Sequence, residues 1–310
     1  MSFRILICDP LSESGLQVLQ ADPTIVCDIK IKQSPGQLKA ILGDYDAVIV
    51  RSETKLTADV LKCGTRLKVV GRAGSGVDNI DVAAAKTLGI RVLNVPAGTT
   101  IGVAELTLLL MLTLARPVIK ASASLKAGEW KRAQFIGTEL FGKRLGIVGY
   151  GRIGQAVAAR AKAFGMDIVA SPDPNLDVSL ADTNMQSVSW EELLKTSDYI
   201  SLHLPFNPGT KKIIGAPELA MMKKGVKIVN CARGGLIDEG SLHQALVSGQ
   251  VAAAAIDVFE QEPPPHPHPL VSLPNVIAIP HLGASSHESQ ARVGETIAKD
   301  VLSALHEILG

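Results

Sequence analysis

Short apolar runs, each closing on a glycine or a polar residue and separated by stretches of helical spacing, constrain this 310-residue chain more than any other feature. Arg4–Cys8, Asp46–Arg51, Leu67–Gly71 and Arg91–Asn94 form one series. Arg144–Gly149, Asp167–Ser171, Asp198–His203, Val226–Cys231, Val251–Asp257 and Val276–Ile279 form a second. Runs this short read as strands buried on both faces, and their alternation with helical stretches predicts parallel sheets covered by helices on each side. Two series predict two doubly wound α/β domains, which the chain length suits. Apolar residues at 46% supply enough material for two cores.

The linking segments carry their own information. From about Ile101 to Lys126 the pattern is helical and apolar on nearly all sides, with Glu105 the one acid in its first turns. Such a helix is expected to be buried, inside its domain or against another subunit; with Trp130 beyond it, a homodimer is expected. The longest greasy stretch, Leu106–Ala115, is about half a membrane span, so no membrane partner is expected. Glu262–Pro269 (EPPPHPHP) excludes helix and central strand and predicts a stiff surface loop. Its His266 and His268 lack the cysteine or carboxylate cluster that would complete a metal site, and no metal is expected. Net charge is +1 with 20% charged residues, which gives no global field for nucleic acid and leaves any anionic substrate to local arginines. Cys8, Cys27, Cys63 and Cys231 are scattered without a CxxC pair, and the N-terminus has no signal-peptide pattern. A reducing, cytoplasmic setting is expected.

Gly149-Tyr150-Gly151-Arg152-Ile153-Gly154 matches GxGxxG between a strand-like run, LGIVG, and a helix-like run, QAVAARAKAFG. In that setting the glycines permit a tight turn, close approach of backbone to a pyrophosphate, and close helix–strand packing. The phosphates would meet free N–H groups at the helix N-terminus. The second domain is therefore expected to be Rossmann-like and to bind a dinucleotide. An acid is expected about 20 residues on for the ribose hydroxyls. Asp173, in Ser171-Pro172-Asp173-Pro174, is the candidate; a plain turn residue is the other reading. No arginine replaces it there, which favours NAD over NADP.

Three segments place charged residues directly after predicted strands: Asn230-Cys231-Ala232-Arg233-Gly234-Gly235, Asp257-Val258-Phe259-Glu260-Gln261-Glu262, and Pro280-His281-Leu282-Gly283. Singly, Arg233 reads as a surface cation, Glu262 as a loop acid and His281 as a strand-end cap. Together they follow strands of one sheet, whose carboxyl ends are where ligands bind.

With these, GRAGSGVDN (71–79) and NVPAGTT (94–100) complete a set of motifs running through essentially the whole chain. By them the sequence resembles the D-isomer-specific 2-hydroxyacid dehydrogenase family, most of all its members that oxidise 3-phosphoglycerate in serine biosynthesis. The resemblance implies an NAD-dependent oxidoreductase acting on a small anionic 2-hydroxy acid. His281 would be the general acid/base, Glu262 its partner, and Arg233 the clamp on the substrate carboxylate. Cofactor contacts would come from Gly149, Gly151, Arg152, Ile153, Gly154, Asp173, His203, Pro205, Thr210, Cys231, Ala232, Arg233, Asp257, His281 and Gly283. Substrate contacts would come from Arg51, Arg72, Ser75, Gly76, Arg233 and His281, with Arg132 reaching in from the neighbouring subunit. Ser75 and Gly76 would offer backbone N–H groups to the carboxylate. Arg51, Arg72 and Arg132 would surround a phosphate; a salt bridge such as Arg72 with Asp78 is the plainer reading. The implied layout is a discontinuous substrate domain, residues 1–97 with 283–310, and a cofactor domain, 98–282, around an interdomain cleft.

The chain departs from the family pattern in two places. Asp173 falls one position late, and Leu204 stands where phosphoglycerate-oxidising members often have Thr. Many relatives continue into regulatory domains beyond the position of Gly310, so a short form or a piece of a longer chain is expected, without serine feedback. Two other readings remain: a hydroxypyruvate or glyoxylate reductase of the same family, and a non-catalytic NAD-sensing protein of corepressor type.

Overall fold

The computed structural model describes residues 2–171 and 186–308 and divides into two compact units: Met1–Thr99 with Ala284–Gly310, and Thr100–Gly283. In the first unit β1 (Phe3–Ile7), β2 (Ile25–Ile29), β3 (Ala47–Val50), β4 (Val69–Arg72) and β5 (Arg91–Asn94) form a parallel sheet of order β2-β1-β3-β4-β5. Successive side chains leave a strand on opposite faces. Leu6, Val48 and Val70 thus pack with Leu38 and Leu61 on one side, while Ile5, Ile7, Ile49 and Val69 meet Ile297 and Val301 on the other. Ile297 and Val301 belong to the helix His287–His306, which explains why the last segment joins the first unit. Each fully buried aliphatic side chain stabilises this sandwich by about 1.5–3 kcal/mol.

The second unit holds β6 (Arg144–Val148), β7 (Asp167–Ser171), β8 (Gln186–Ser187), β9 (Tyr199–Leu202), β10 (Val226–Asn230), β11 (Val251–Ile256) and β12 (Val276–Ala278). All pair in parallel, in the order β12-β11-β10-β9-β6-β7-β8. Leu145, Ile147 and Val229 face Val103, Met111 and Val157; Ile200, Leu202 and Ile228 face Leu193, Leu219 and Leu242. The two parallel sheets with alternating helices are the fold class expected from the sequence.

Three elements differ from expectation, the first being β8, a two-residue strand at one edge of the second sheet that no apolar run announces. The strand β2 was not anticipated: IVCDI is a partly exposed edge strand, and Asp28 interrupts its apolar run. The structure gives Asp28 partners, the Arg4 guanidinium at 2.7 Å and the Tyr45 hydroxyl at 2.9 Å. The single helix expected over Ile101–Lys126 is instead two, Thr100–Ala115 and Val118–Lys126, bent by 67°. Pro117 explains the break, since it lacks an N–H and disfavours helical backbone at Arg116. The first helix is the buried one, while the second has no buried residue. Among the described residues no single helix is long and apolar enough to cross a membrane, although this bent pair passes the same test of length and composition. Cys8, Cys27, Cys63 and Cys231 are free.

Candidate active site

The order of the second sheet reverses direction between β6 and β9, so the chain leaving β6 diverges there from the chain leaving β9. The glycine loop sits at this switch point. Gly149 has φ +93°, and a Cβ there would lie 2.8 Å from Leu204 and 2.9 Å from the His203 backbone. A Cβ on Gly154 would lie 2.3 Å from the Gly149 carbonyl oxygen, so the third glycine lets the helix Arg152–Ala163 abut the loop. Gly151 differs from both: it has nothing within 4 Å of such a Cβ, and as N-cap it offers no side chain to the first helical N–H groups. Uncapped donors beside open space form the cradle that a pyrophosphate needs. These residues fit a dinucleotide. The expected ribose acid, Asp173, lies outside the described residues.

His281, Glu262 and Arg233 follow three neighbouring strands, β12, β11 and β10. The His281 Nδ1 lies 2.7 Å from Glu262 Oε2. A carboxylate has no hydrogen to give, so Nδ1 donates and Nε2 is left with its lone pair. Burial would raise the Glu262 carboxyl, but the His281 hydrogen bond and charge, the Phe259 N–H and the Arg233 charge outweigh it, and the group titrates below its ordinary range. The Phe259 N–H donates to Glu262 Oε1 at 3.1 Å. The Arg233 loop presses against this turn, because a Cβ on Gly234 would lie 1.8 Å from the Phe259 carbonyl oxygen. Asn230 closes the loop from within, donating to the Arg233 carbonyl at 2.9 Å and accepting from the Ala232 N–H at 3.0 Å. The arrangement can accept a proton at His281 Nε2 and hold that charge beside Glu262.

Other expected contacts have clear local roles. Asp257 is fully buried and commits both carboxylate oxygens to the N–H groups of Leu282 (2.5 Å) and Gly283 (2.9 Å). Burial pushes its carboxyl up, against the pull of those donors and of His281. Burial also pushes the Cys231 thiol up to about 12, so it is a packed strand-end residue and no reactive thiolate. His203 titrates at about 3 through burial, and its Nε2 lies 2.9 Å from Ser201 Oγ. Thr210 is buried and donates to the Pro205 carbonyl at 2.7 Å, which ties the loop after β9 into a turn.

In the first unit Arg51 and Arg72 stand at the carboxyl ends of adjacent strands, β3 and β4, with Val50 and Arg72 in register. The Arg72 guanidinium fills the place a Cβ on Gly74 would take, 1.5 Å from it. Ser75 donates to the Pro96 carbonyl at 2.8 Å, and Gly76 follows at the same turn. Sequence reasoning missed Asp9, which pins this edge: its buried carboxylate accepts from the Arg51 N–H at 2.5 Å and the Thr54 hydroxyl at 2.6 Å. Arg132 belongs to the second unit and is exposed.

Residues 108–283 match the model of the D-isomer specific 2-hydroxyacid dehydrogenase, NAD binding domain. The chain belongs to the D-isomer-specific 2-hydroxyacid dehydrogenase family. It is 48% identical over 304 residues to a D-3-phosphoglycerate dehydrogenase of Methanocaldococcus jannaschii, covering 97% of this chain and 57% of that one. It is 44% identical to a hydroxypyruvate reductase of Thermotoga maritima, covering 98% of each chain. Among solved structures it is similar to a glyoxylate reductase from Paecilomyes thermophila, with a TM-score of 0.87, 33% identity, and coverage of 98% of this chain and 95% of that one. The chain thus spans little more than half the length of the archaeal relative and nearly all of the reductases.

The second unit is the family's NAD-binding domain, and NAD is its cofactor. The partnership of two further residues of this domain escaped sequence reasoning. Glu239 accepts from the Glu260 N–H at 2.8 Å, and His268, deep in the proline-rich loop, brings its Nε2 to 3.2 Å from the other Glu239 oxygen. The HxH pair reads as a surface feature in sequence, and only the inward turn of the loop reveals His268 as buried. Among the described residues no group of three or more His, Cys, Asp or Glu is arranged to hold a metal.

Two predictions follow from this geometry. Gly151→Val is expected to weaken NADH binding by about tenfold or more, or 1.4 kcal/mol, measured by fluorescence titration, while melting as wild type does. Unchanged affinity would show that the phosphates do not approach Gly151. The lowered Glu262 carboxyl stabilises the fold fully above its unfolded value near 4.5 and loses that effect as pH falls through its folded value. The melting-temperature gap between wild type and Glu262→Gln should therefore be widest above about pH 5 and close on acidification; a gap that widens in acid contradicts the assignment.

Proposed function

We propose that this chain oxidises D-3-phosphoglycerate to 3-phosphohydroxypyruvate with NAD, a step that serves serine biosynthesis. The observation that carries the chemistry is the His281–Glu262 hydrogen bond of 2.7 Å beside the Arg233 loop. NAD, when bound, supplies the nicotinamide carbon that accepts a hydride. His281 Nε2 takes the proton of the C2 hydroxyl as the C2–H bonding pair departs, which leaves a carbonyl at C2. Glu262 fixes the tautomer that makes Nε2 the base and steadies the imidazolium that results. The Arg233 fork is suited to a carboxylate and to the oxygen on C2. In the reverse direction His281 returns the same proton.

Strand-end arginines support the phosphorylated substrate. Arg51 and Arg72 end adjacent strands, and a phosphate needs cations beyond the one that holds the carboxylate. Arg132 is proposed to contribute from a second copy of the chain. Leu109, Val118, Ile119, Trp130, Ile136 and Phe141 are exposed apolar side chains of the second unit, Trp130 at 76% and Ile136 at 83%, and a homodimer would cover them. Sedimentation at micromolar protein should give a dimer, and Trp130→Glu should weaken it; a monomer throughout rejects the dimer.

The second reading is a hydroxypyruvate reductase, favoured by the 44%-identical relative of matching length. It uses the same proton relay and needs no phosphate site. Turnover followed at NADH absorbance should be higher on 3-phosphoglycerate than on glycerate, and Arg132→Ala should depress the first far more than the second. Equal losses would favour the reductase. His281→Gln should lower turnover about 10²–10⁴-fold on whichever substrate is used; unchanged turnover would remove His281 from the mechanism.

A further inference from the structure

Behind Glu262 lies a second imidazole–carboxylate pair that the reaction does not touch. His268 is 8% exposed, and its ring stands edge-on to Phe259 with centroids 5.4 Å apart. Its Nε2 meets Glu239 Oε2 at 3.2 Å, while Glu239 Oε1 accepts from the Glu260 N–H at 2.8 Å. Glu239 in turn presents its own N–H to Glu260 Oε1 at 3.4 Å. Phe259 and Glu260 therefore belong to a turn held from outside through His268 and Glu239. The same turn holds Glu262 from inside, since the Phe259 N–H binds Glu262 Oε1. Lys212, at φ +52°, braces the frame, 2.6 Å from Asp238 and 3.7 Å from Glu260.

We propose that His268, acting through Glu239, is a positioning residue: it fixes the turn 259–262 so that Glu262 meets His281. A buried polar pair is costly to leave half made, so a side chain that fills the space without a donor should loosen the turn. Simple loop packing makes the opposite claim, that filling the space is enough. The inference rests on the proposed roles of His281 and Glu262.

The test uses the full chain with three variants. His268→Leu keeps the apolar contact with Phe259 and removes the donor, His268→Gln keeps an N–H near the same place, and Glu262→Gln breaks the proposed relay itself. With NAD and 3-phosphoglycerate, His268→Leu should lower kcat about tenfold with KM for NAD unchanged, and His268→Gln should recover most of the loss. Independently of any substrate, the His281 Nδ1–H signal in proton NMR should be present in wild type and in His268→Gln, and be broadened by exchange with water in His268→Leu. Equal behaviour of the Leu and Gln variants, or a His281 signal untouched by His268→Leu, overturns the positioning role. A Glu262→Gln variant with wild-type turnover and an unaltered His281 signal instead overturns the relay on which the inference stands. If His268→Leu does not fold, Glu239→Ala removes the acceptor and is expected to give the same two changes.

Discussion

A parallel sheet ends all its strands at one edge, and the candidate site of this protein depends on that constraint. Strands β6, β9, β10, β11 and β12 deliver the glycine loop, His203, Arg233, Glu262 and His281 to the same side of the second sheet. The strands themselves are largely apolar, and their two charged residues, Arg144 and Lys227, lie near the strand starts, away from this edge. The charged residues nearest this edge are those just past each strand. Residues separated by more than 130 positions in sequence, such as Gly149 and His281, thus come to one edge through strand order alone.

Delivering loops to an edge does not fix their shape, and both units solve this with a buried carboxylate. Asp9, after β1, holds the backbone at Arg51 and Thr54 beyond β3. Asp257, after β11, holds Leu282 and Gly283 beyond β12. Burying a carboxylate without a cation is unfavourable unless donors saturate it, and backbone N–H groups supply those donors at fixed positions. The anion in each case organises a neighbouring loop that carries an arginine or a histidine, and it leaves that side chain's polar atoms uncommitted to it.

How much of this was legible in sequence follows from how local each signal is. Strands buried on both faces announce themselves as apolar runs, and β5 and β7 are read to the residue. The glycine loop is legible because Gly149 and Gly154 answer to steric demands of the turn itself, while Gly151 leaves open space beside the helix start. The edge strand β2 is not, since its neighbours on one side are water and its Asp28 finds Arg4 and Tyr45 only in three dimensions. The bend at Pro117 was available from proline chemistry and was outweighed by the apolar composition around it. Arg233, Glu262 and His281 each had an ordinary reading alone and gained meaning from following strands of one sheet. His268 and Glu239 had no such signal, because their partnership spans a loop whose course no periodicity describes.

The backbone at His281 shows what such a site gives up. Its φ of +53° is a left-handed conformation that costs a side chain with a Cβ on the order of 1–2 kcal/mol. Glycine would relieve that strain and has no imidazole to offer. The strain persists because the turn is over-determined: the His281 N–H binds the Asp257 carbonyl at 2.8 Å, and the next two N–H groups bind the Asp257 carboxylate. Those bonds are worth about 1 kcal/mol or more each, with the charged acceptor at the upper end. Their sum exceeds the strain, so the turn stays put and its imidazole is aimed at Glu262. Placement of the His281 imidazole is therefore supported by Asp257, a residue whose own carboxylate is fully occupied with backbone.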